Sequence, residues 1–417
     1  MKSRASRDSG RAPAPLAAEE QAQVRNLGRI ILYFGNDWDA ENRTSSHQMA
    51  LHLARRERLV YVECPGLRRP SARSRDLRKI FSKLEKTLRG PRLADDSFPV
   101  YTLLQLPLHG ISIVRRLNRK LVEWQVRRIQ GDLGGEIPIL WFVVPHLAYL
   151  PEVFPDCFSV YYCIDKYSAL PGVPAAAVAE MDETITRVAD VVFVASEKLL
   201  EDKRRYRQDV VLSPHGVDFD HFSRAAKGGT RPERPTDLPD WEGPIVGFFG
   251  LLESWIDLDL LAHLAESRPE WLLLLIGHEA VPLGSLKDLS NVLALGPKPF
   301  SELPSYACFF DVAILPYRLT EQVLHSNPIK LREYLAAGKS VVSVPFPHAE
   351  RFRDVIYLAD GYDRFVMQIE RALREDTDEM REARMSSVAS STWEVRAAEA
   401  LATVVGRMAE ASTDSSP

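Results

Sequence analysis

Cysteine is scarce in this chain and is not arranged for metal or redox chemistry. Cys64, Cys157, Cys163 and Cys308 lie far apart except for one pair with five residues between them, which matches neither a zinc pattern nor a C-x-x-C motif. Buried thiols in a reducing compartment are the expectation. Long apolar runs are missing as well. The most hydrophobic stretch, Ile137 to Leu150, is broken by Pro138, Pro145 and His146, and cannot supply the unbroken apolar length that a membrane span needs. Residues 1–26 hold arginines, prolines and acids without the apolar centre of a signal peptide, so a cytoplasmic location with a disordered N-terminal tail is expected. No G-x-x-x-x-G-K-[ST] or G-x-G-x-x-G fingerprint occurs, which disfavours ATP hydrolysis and dinucleotide redox chemistry. Nor is there a large charge of one sign: 53 basic residues face 57 acidic ones, for a net charge of −4. Without aromatic or motif support, nucleic acid is not an expected partner.

What is present is enough apolar residue for more than one core. At 417 residues and 45% hydrophobic content, two domains are the natural division. Short apolar runs alternate with helical or loop material: Arg29–Phe34, Leu59–Val62, Val100–Leu104, Ile137–Val144, Phe158–Cys163, Val191–Ala195 and Val210–Leu212. This is the pattern of a parallel sheet. Residues 223–243 are rich in proline, glycine and charge and predict a linker. The alternation then restarts with strands at Ile245–Phe249, Trp271–Ile276, Val292–Leu295, Val312–Leu315 and Ser340–Val344, and helices at Leu258–Ala265 and Pro328–Ala337. The predicted organisation is α/β: a tail (1–26), a first doubly wound domain (27–222), the linker, a second doubly wound domain (244–390), an amphipathic C-terminal helix within 391–410 able to pack on either domain, and a solvated tail (411–417). The cleft between the domains should be lined by strand carboxyl ends and helix N-termini.

Charge is unevenly placed. Ten basic residues lie between Arg68 and Arg92 against Asp76 and Glu85. Leu77, Ile80, Phe81, Leu84 and Leu88 fall at helical spacing among them, so residues 75–90 read as a basic amphipathic helix. Such a helix suits an anionic membrane surface, or equally packs its apolar stripe on its own domain. The 68–92 segment is therefore a candidate peripheral membrane contact.

The most informative passage is Ser326–Gly338, SNPIKLREYLAAG. Asn327 is a good N-cap, Pro328 fits the first turn and Gly338 ends the helix. Lys330 breaks the local rule, because a cation in the first turn opposes the helix dipole. A bound diphosphate would reconcile them, pairing with Lys330 and the unpaired N–H groups, with Glu333 one turn on to accept ribose hydroxyls. The alternative is an ordinary surface i, i+3 pair. DWD (37–39), DFD (218–220) and DLD (257–259) look like metal-binding aspartate pairs, yet each sits at a turn or helix start where aspartate is expected anyway; no metal site is assigned.

The run SNPIKLREYLAAGKSVVS, together with VYYCIDKYSALPG, ADVVFVASEKLL, LSPHGVDFDHF, VGFFGLLESWIDLDLLAHLAESRPEWLLLLIG and the C-terminal STWEVRAAEAL, resembles the GT-B glycosyltransferases of the family 4 type, in particular bacterial enzymes related to teichuronic acid glycosyltransferases. The likeness runs through most of residues 27–405. It implies the GT-B fold of two Rossmann-like domains, an acceptor-binding N-terminal domain and a C-terminal domain that binds a nucleotide-diphosphate sugar. It implies sugar transfer to a glycan or lipid-linked acceptor, without a cofactor or metal and with retention of configuration. By the same resemblance Lys330 contacts the donor phosphates and Glu333 the ribose, Gly250 lets the backbone approach the diphosphate with Glu253 on the loop beyond it, and His215 lies near the cleft unless it is a plain turn residue. Asn327 stands at the head of the donor helix. The chain departs from the family pattern where His325 replaces a sugar-contacting glutamate, for which Glu321 is a candidate substitute. A basic residue after the glycine turn is also missing, leaving Arg318 or Lys298 as helpers. If configuration is inverted instead, Asp165, His146 or His47 are the candidate bases, Asp165 first; each also has a plain structural reading as a cap, a loop partner or a helix start.

Overall fold

The computed structural model describes residues 27–39, 44–67, 90–94, 98–106, 111–227 and 233–414. The predicted N-terminal tail and most of the amphipathic segment 75–90 lie outside them. Two sheets carry the fold. The first holds β1 (Ile31–Gly35), β2 (Leu59–Glu63), β3 (Arg92–Ala94), β4 (Phe98–Thr102), β5 (Ile139–Phe142), β6 (Ser159–Cys163), β7 (Val191–Val194) and β8 (Val211–Leu212). Their order is β3-β4-β2-β1-β5-β6-β7-β8, parallel throughout except that β3 runs against β4. The second sheet holds β9 (Ile245–Phe249), β10 (Leu272–Ile276), β11 (Val292–Gly296), β12 (Val312–Leu315), β13 (Ser340–Ser343) and β14 (Tyr357–Leu358). It is wholly parallel, in the order β11-β10-β9-β12-β13-β14.

Most of these strands are continuous apolar runs because helices cover both faces and every side chain is buried; β1, β2, β6, β9 and β10 are buried at all five positions. The strands missing from the sequence reading, β3 and β14, have three and two residues, too few to show a period. In each sheet the strand order reverses beside the first strand, at β1/β5 and at β9/β12, which opens a crevice at the carboxyl ends.

The longer helices are α1 (Ser45–Ala54), α2 (Ser112–Asp132), α3 (Ala175–Val188), α4 (Glu197–Arg204), α5 (Phe219–Lys227), α6 (Leu258–Ser267), α7 (Glu321–His325), α8 (Ile329–Ala336), α9 (Tyr362–Glu375), α10 (Asp378–Ala389) and α11 (Trp393–Asp414). The start of the stretch read as a linker is helical instead: α5 reaches Lys227, and Phe222 is buried in the second core. The C-terminal helix extends through Asp414, past the start of the predicted tail. It returns to the first domain, where Trp393, Ala397, Ala400, Leu401 and Val404 join the first core. That spacing of four, three, one and three is one helical face. The two chain crossings between the halves run side by side. Val217 bridges Thr392, and a Cβ on Gly216 would lie 2.5 Å from the Trp393 backbone nitrogen, so only glycine lets the crossings touch. Among the described residues no helix is long and apolar enough to cross a membrane.

Candidate active site

A cavity of about 1050 Å³ lies between the carboxyl ends of the two sheets. The first sheet contributes the β1–α1 turn, the loop after β4 and Asp165 after β6; the second contributes Gly250 after β9, Gly277 after β10, and Ser326–Lys330 with Glu333 at the head of α8.

The head of α8 is built unlike the sequence expectation. Asn327 does not cap it. The N-cap is Pro328, with no side-chain hydrogen bond to the first turn. The Asn327 amide instead donates to Ala195 O at 2.5 Å and accepts from Arg332 Nη1 at 2.5 Å, tying the second half of the chain to the end of β7. A tertiary demand has taken the residue that local propensity assigned to the cap. The first turn of α8 thus faces the cavity without a side-chain cap, and Pro328, Ile329 and Lys330 all line it.

Lys330 lies across the second sheet's glycine turn. A Cβ on Gly250 would fall 1.8 Å from Lys330 Cε, and Gly250 has φ +149°. Behind it, a Cβ on Gly277 (φ +148°) would lie 1.8 Å from Gly250 O. Two bare α-carbons in sequence therefore set how closely lysine, backbone and any ligand approach. Lys330 makes no ion pair or hydrogen bond among the described residues. Burial pushes its pKa down, partly offset by Glu333. Burial raises Glu333 to about 7, with Lys330 opposing the shift and Asp218 adding to it. A desolvated cation and a carboxyl raised well above its ordinary value, one turn apart and both lining the cavity, are groups of the kind found at ligand sites.

Asp165 faces this pair from the first domain. It accepts from the Lys166 N–H at 2.8 Å and from the Gln322 side chain, but burial dominates and raises it to about 6. Gln322, on α7, was missed by the sequence reading; no spacing or composition signal distinguishes it. His215 donates from Nδ1 to Asn327 O at 2.8 Å, so its Nε2 is a bare acceptor, and that atom is buried without a partner. Burial drives its pKa down to about 3 against the help of that bond. It is neutral at physiological pH and brings no charge to a phosphate.

Several of the candidates are elsewhere. His47 closes the α1 N-terminus: Nδ1 accepts from the Thr44 N–H at 3.0 Å and Nε2 donates to Asp37 O at 2.9 Å, leaving neither nitrogen for a proton transfer. His146 is buried in a short turn after β5, and Glu253 folds back to accept from the Ser254 N–H at 2.9 Å; neither lines the cavity. Arg318 is drawn outward by Asp259 at 3.0 Å and Asp257 at 3.7 Å. Lys298 does line the cavity but is paired with Asp237 at 2.5 Å. His325 and Glu321 also miss it. His325 bonds Asp202 on α4 at 3.1 Å and Glu321 points to Lys166 at 3.9 Å. Both fasten the second domain to the first.

The aspartate motifs act as turn and cap residues. Asp257 accepts from Leu260 N at 3.3 Å and Asp218 from His221 N at 3.1 Å. Asp37, Asp39 and Glu63 do converge, one carboxylate oxygen each within 4.8 Å. Arg92 fills this cluster, 2.8 Å from both Asp39 and Glu63. Burial alone would raise Glu63, yet Arg92, Thr102 and the Trp38 N–H outweigh it and hold it low.

No protein-family model matches the chain. Solved structures match over nearly its whole length: a glycosyltransferase of Rickettsia africae (TM-score 0.63, 12% identity, 91% of this chain and 98% of that one) and sucrose-phosphate synthase of Thermosynechococcus elongatus (0.64, 14%, 93% and 100%). The fold is that of the GT-B glycosyltransferases. Anabaena Alr3699/HepE, solved with UDP and glucose, shares this GT-B architecture at TM-score 0.56 and 13% identity, over 92% of this chain and 99% of its own. In sequence, a Bacillus subtilis protein provisionally named teichuronic acid biosynthesis glycosyltransferase TuaH is 25% identical over 384 residues, 86% of this chain and 92% of that protein. The GT-B resemblance read from the motifs thus agrees with both comparisons.

Proposed function

We propose that this protein transfers a glycosyl group from a nucleotide-diphosphate sugar to a glycan or lipid-linked acceptor of bacterial surface-polysaccharide synthesis. The observation that carries the reading is Lys330, a desolvated cation without an ion-pair partner among the described residues, at the uncapped head of α8 where two glycines clear the approach. A diphosphate satisfies the N–H groups and the lysine together. The Anabaena neighbour solved with UDP and glucose and the name of the Bacillus subtilis relative support the donor and acceptor classes.

In the proposed reaction the bond from the anomeric carbon to the donor phosphate oxygen breaks and a bond to the acceptor hydroxyl oxygen forms. Charge accumulates on the departing diphosphate, where Lys330 and the α8 N–H groups stabilise it without a metal. With retention, the acceptor proton passes to the leaving phosphate oxygen. With inversion it passes to Asp165, whose carboxyl at about 6 is suited to take it. Retention is the reading we adopt from the motif resemblance. Cytoplasmic action at the inner membrane face, aided by residues 68–92, completes the proposal.

A second reading has its own observation. His325, at the position of the family's sugar-contacting glutamate, is committed to Asp202, which suits a nucleotide-binding assembly subunit that does not turn over. Calorimetry with UDP, GDP and ADP, followed by transfer assays on a lipid-linked glycan acceptor, separates the two. Binding with transfer supports the enzyme; binding with neither transfer nor hydrolysis supports the subunit, and hydrolysis or epimerisation without acceptor a third activity. Binding of no nucleotide removes the donor site itself.

The titration of Glu333 gives a further expected result. If the ionised carboxylate accepts the ribose hydroxyls, a group at about 7 is mostly protonated in mild acid and mostly ionised in mild base. Affinity for UDP-glucose, whose diphosphate does not titrate in that window, should rise about tenfold from about pH 6 to about pH 8. Glu333→Gln should flatten the profile. A wild-type profile already flat over this window refutes the ribose role.

A further inference from the structure

Helix α2 has two apolar faces. One is spent on the first core: Val122, Val126 and Ile129 join it, with Asn118 and Gln125 buried beside them. The opposite face is left bare. Ile113, Leu117 and Trp124 are 66%, 57% and 58% exposed at positions i, i+4 and i+11, which align within about 40° on the helix. An outward helix face is normally polar. Here the bare stripe is flanked by Arg116, Lys120 and Arg128, none of which makes an ion pair among the described residues, whereas Arg115, Arg119 and Arg127 are paired with Glu180, Glu152 and Glu123. Six basic residues stand against two acids along the helix.

The stripe is joined to the cavity. Asn118 and Gln125 each exchange two hydrogen bonds with the backbone of the segment after β4, at Leu106 and Leu104. That segment lines the cavity through Leu103, Leu104 and Gln105 and exposes Leu106 by 48% beside α2. The helix and the acceptor side of the cleft therefore form one rigid piece.

We propose that the outer face of α2 docks on an anionic lipid bilayer, with Ile113, Leu117 and Trp124 in the headgroup–acyl boundary and Arg116, Lys120 and Arg128 on lipid phosphates. Charge decides the occupant. A second copy meeting this face about a two-fold axis sets cations against cations, and the chain's own segment 75–90 is also basic. Apolar residues flanked by cations that make no ion pair among the described residues, with Arg128 over the Trp124 ring at 5.9 Å, fit an interfacial helix on acidic lipid. This rests on the glycosyltransfer reading only for its consequence, that the cleft mouth opens toward a lipid-borne acceptor.

The test is co-sedimentation of the full chain with phosphatidylcholine vesicles with and without phosphatidylglycerol. Wild type should partition onto the anionic vesicles only. The triple variant Arg116→Glu/Lys120→Glu/Arg128→Glu should lose about a hundredfold or more in partitioning, and Leu117→Ser/Trp124→Ser a comparable amount. Trp124→Phe should remove the quenching of tryptophan fluorescence by brominated lipid. UDP binding, unchanged in every variant, reports an intact fold and donor site. Equal partitioning of wild type and both variants overturns the proposal in favour of segment 75–90. No partitioning overturns it outright, as does a change confined to oligomeric state, which assigns the face to a second copy. Failure of UDP to bind any version strikes the glycosyltransfer reading and leaves the vesicle result standing.

Discussion

Replacing Lys330 with methionine is expected to weaken nucleotide binding at least about thirtyfold while leaving the unliganded protein as stable as before or more so. The ammonium is desolvated at the cleft wall, with Glu333 partly offsetting that burial, and in the proposed function its anion partner is the donor diphosphate. Removing one member of a buried charge pair costs about 2–5 kcal/mol, which is roughly a thirtyfold to several-thousandfold loss of affinity. The stability sign runs the other way. A lysine whose folded pKa lies below its unfolded value binds its proton less tightly in the folded state. The charged form thus opposes folding below the folded pKa, and the burden disappears as pH rises to the unfolded value. Methionine removes it at all pH values with nearly the same stem. Thermal unfolding with and without UDP tests both halves: the wild-type shift with ligand should shrink and the unliganded transition should hold or rise. A fall in the unliganded transition with binding retained would make Lys330 structural.

Gly277→Ala should do the greatest damage of any single methyl addition in the second domain. Its Cβ would meet a backbone oxygen, Gly250 O, at 1.8 Å, from a residue at φ +148°. Neither the conformation nor the obstacle can relax locally. Overpacking costs about 1–3 kcal/mol and a non-glycine residue in such a conformation another 1–3, so a loss of about 2–6 kcal/mol and of nucleotide binding is expected. Gly250→Ala should be milder in stability, because what it strikes is the flexible end of Lys330, but equally harmful to binding. Gly406→Ala serves as control: no atom lies within 4 Å of its Cβ position within α11, and it should gain about 0.5–1 kcal/mol. Urea unfolding of the three variants measures the order.

The two glycines show how far the sequence could be read. Gly250 was singled out through the family resemblance of its strand and glycine turn, VGFFG. Gly277 follows another strand in the same manner, yet its significance lies in a backbone 27 positions away. Asn327 was misread for a related reason. Asn-Pro before a helical period is a good cap signal, but Ala195 O, 132 residues earlier in the chain, claims the amide. The same holds for Glu253, His47 and Arg318, whose types fitted a site while nearer partners had already engaged them.

Periodicity and burial explain what the sequence by itself determined: which runs become strands, that they form parallel sheets in two units, and that α8 begins with a misplaced cation. These are short-range properties, fixed by apolar alternation and by one helix's own dipole. Tertiary structure alone decided which polar side chains face the cavity. It turned His325 to Asp202, joined Gln322 to Asp165, brought α11 back to the first core and left the outer stripe of α2 uncovered. A polar group goes to whichever partner packing brings within hydrogen-bond reach, and that partner is set by how the two domains meet, which no local pattern encodes.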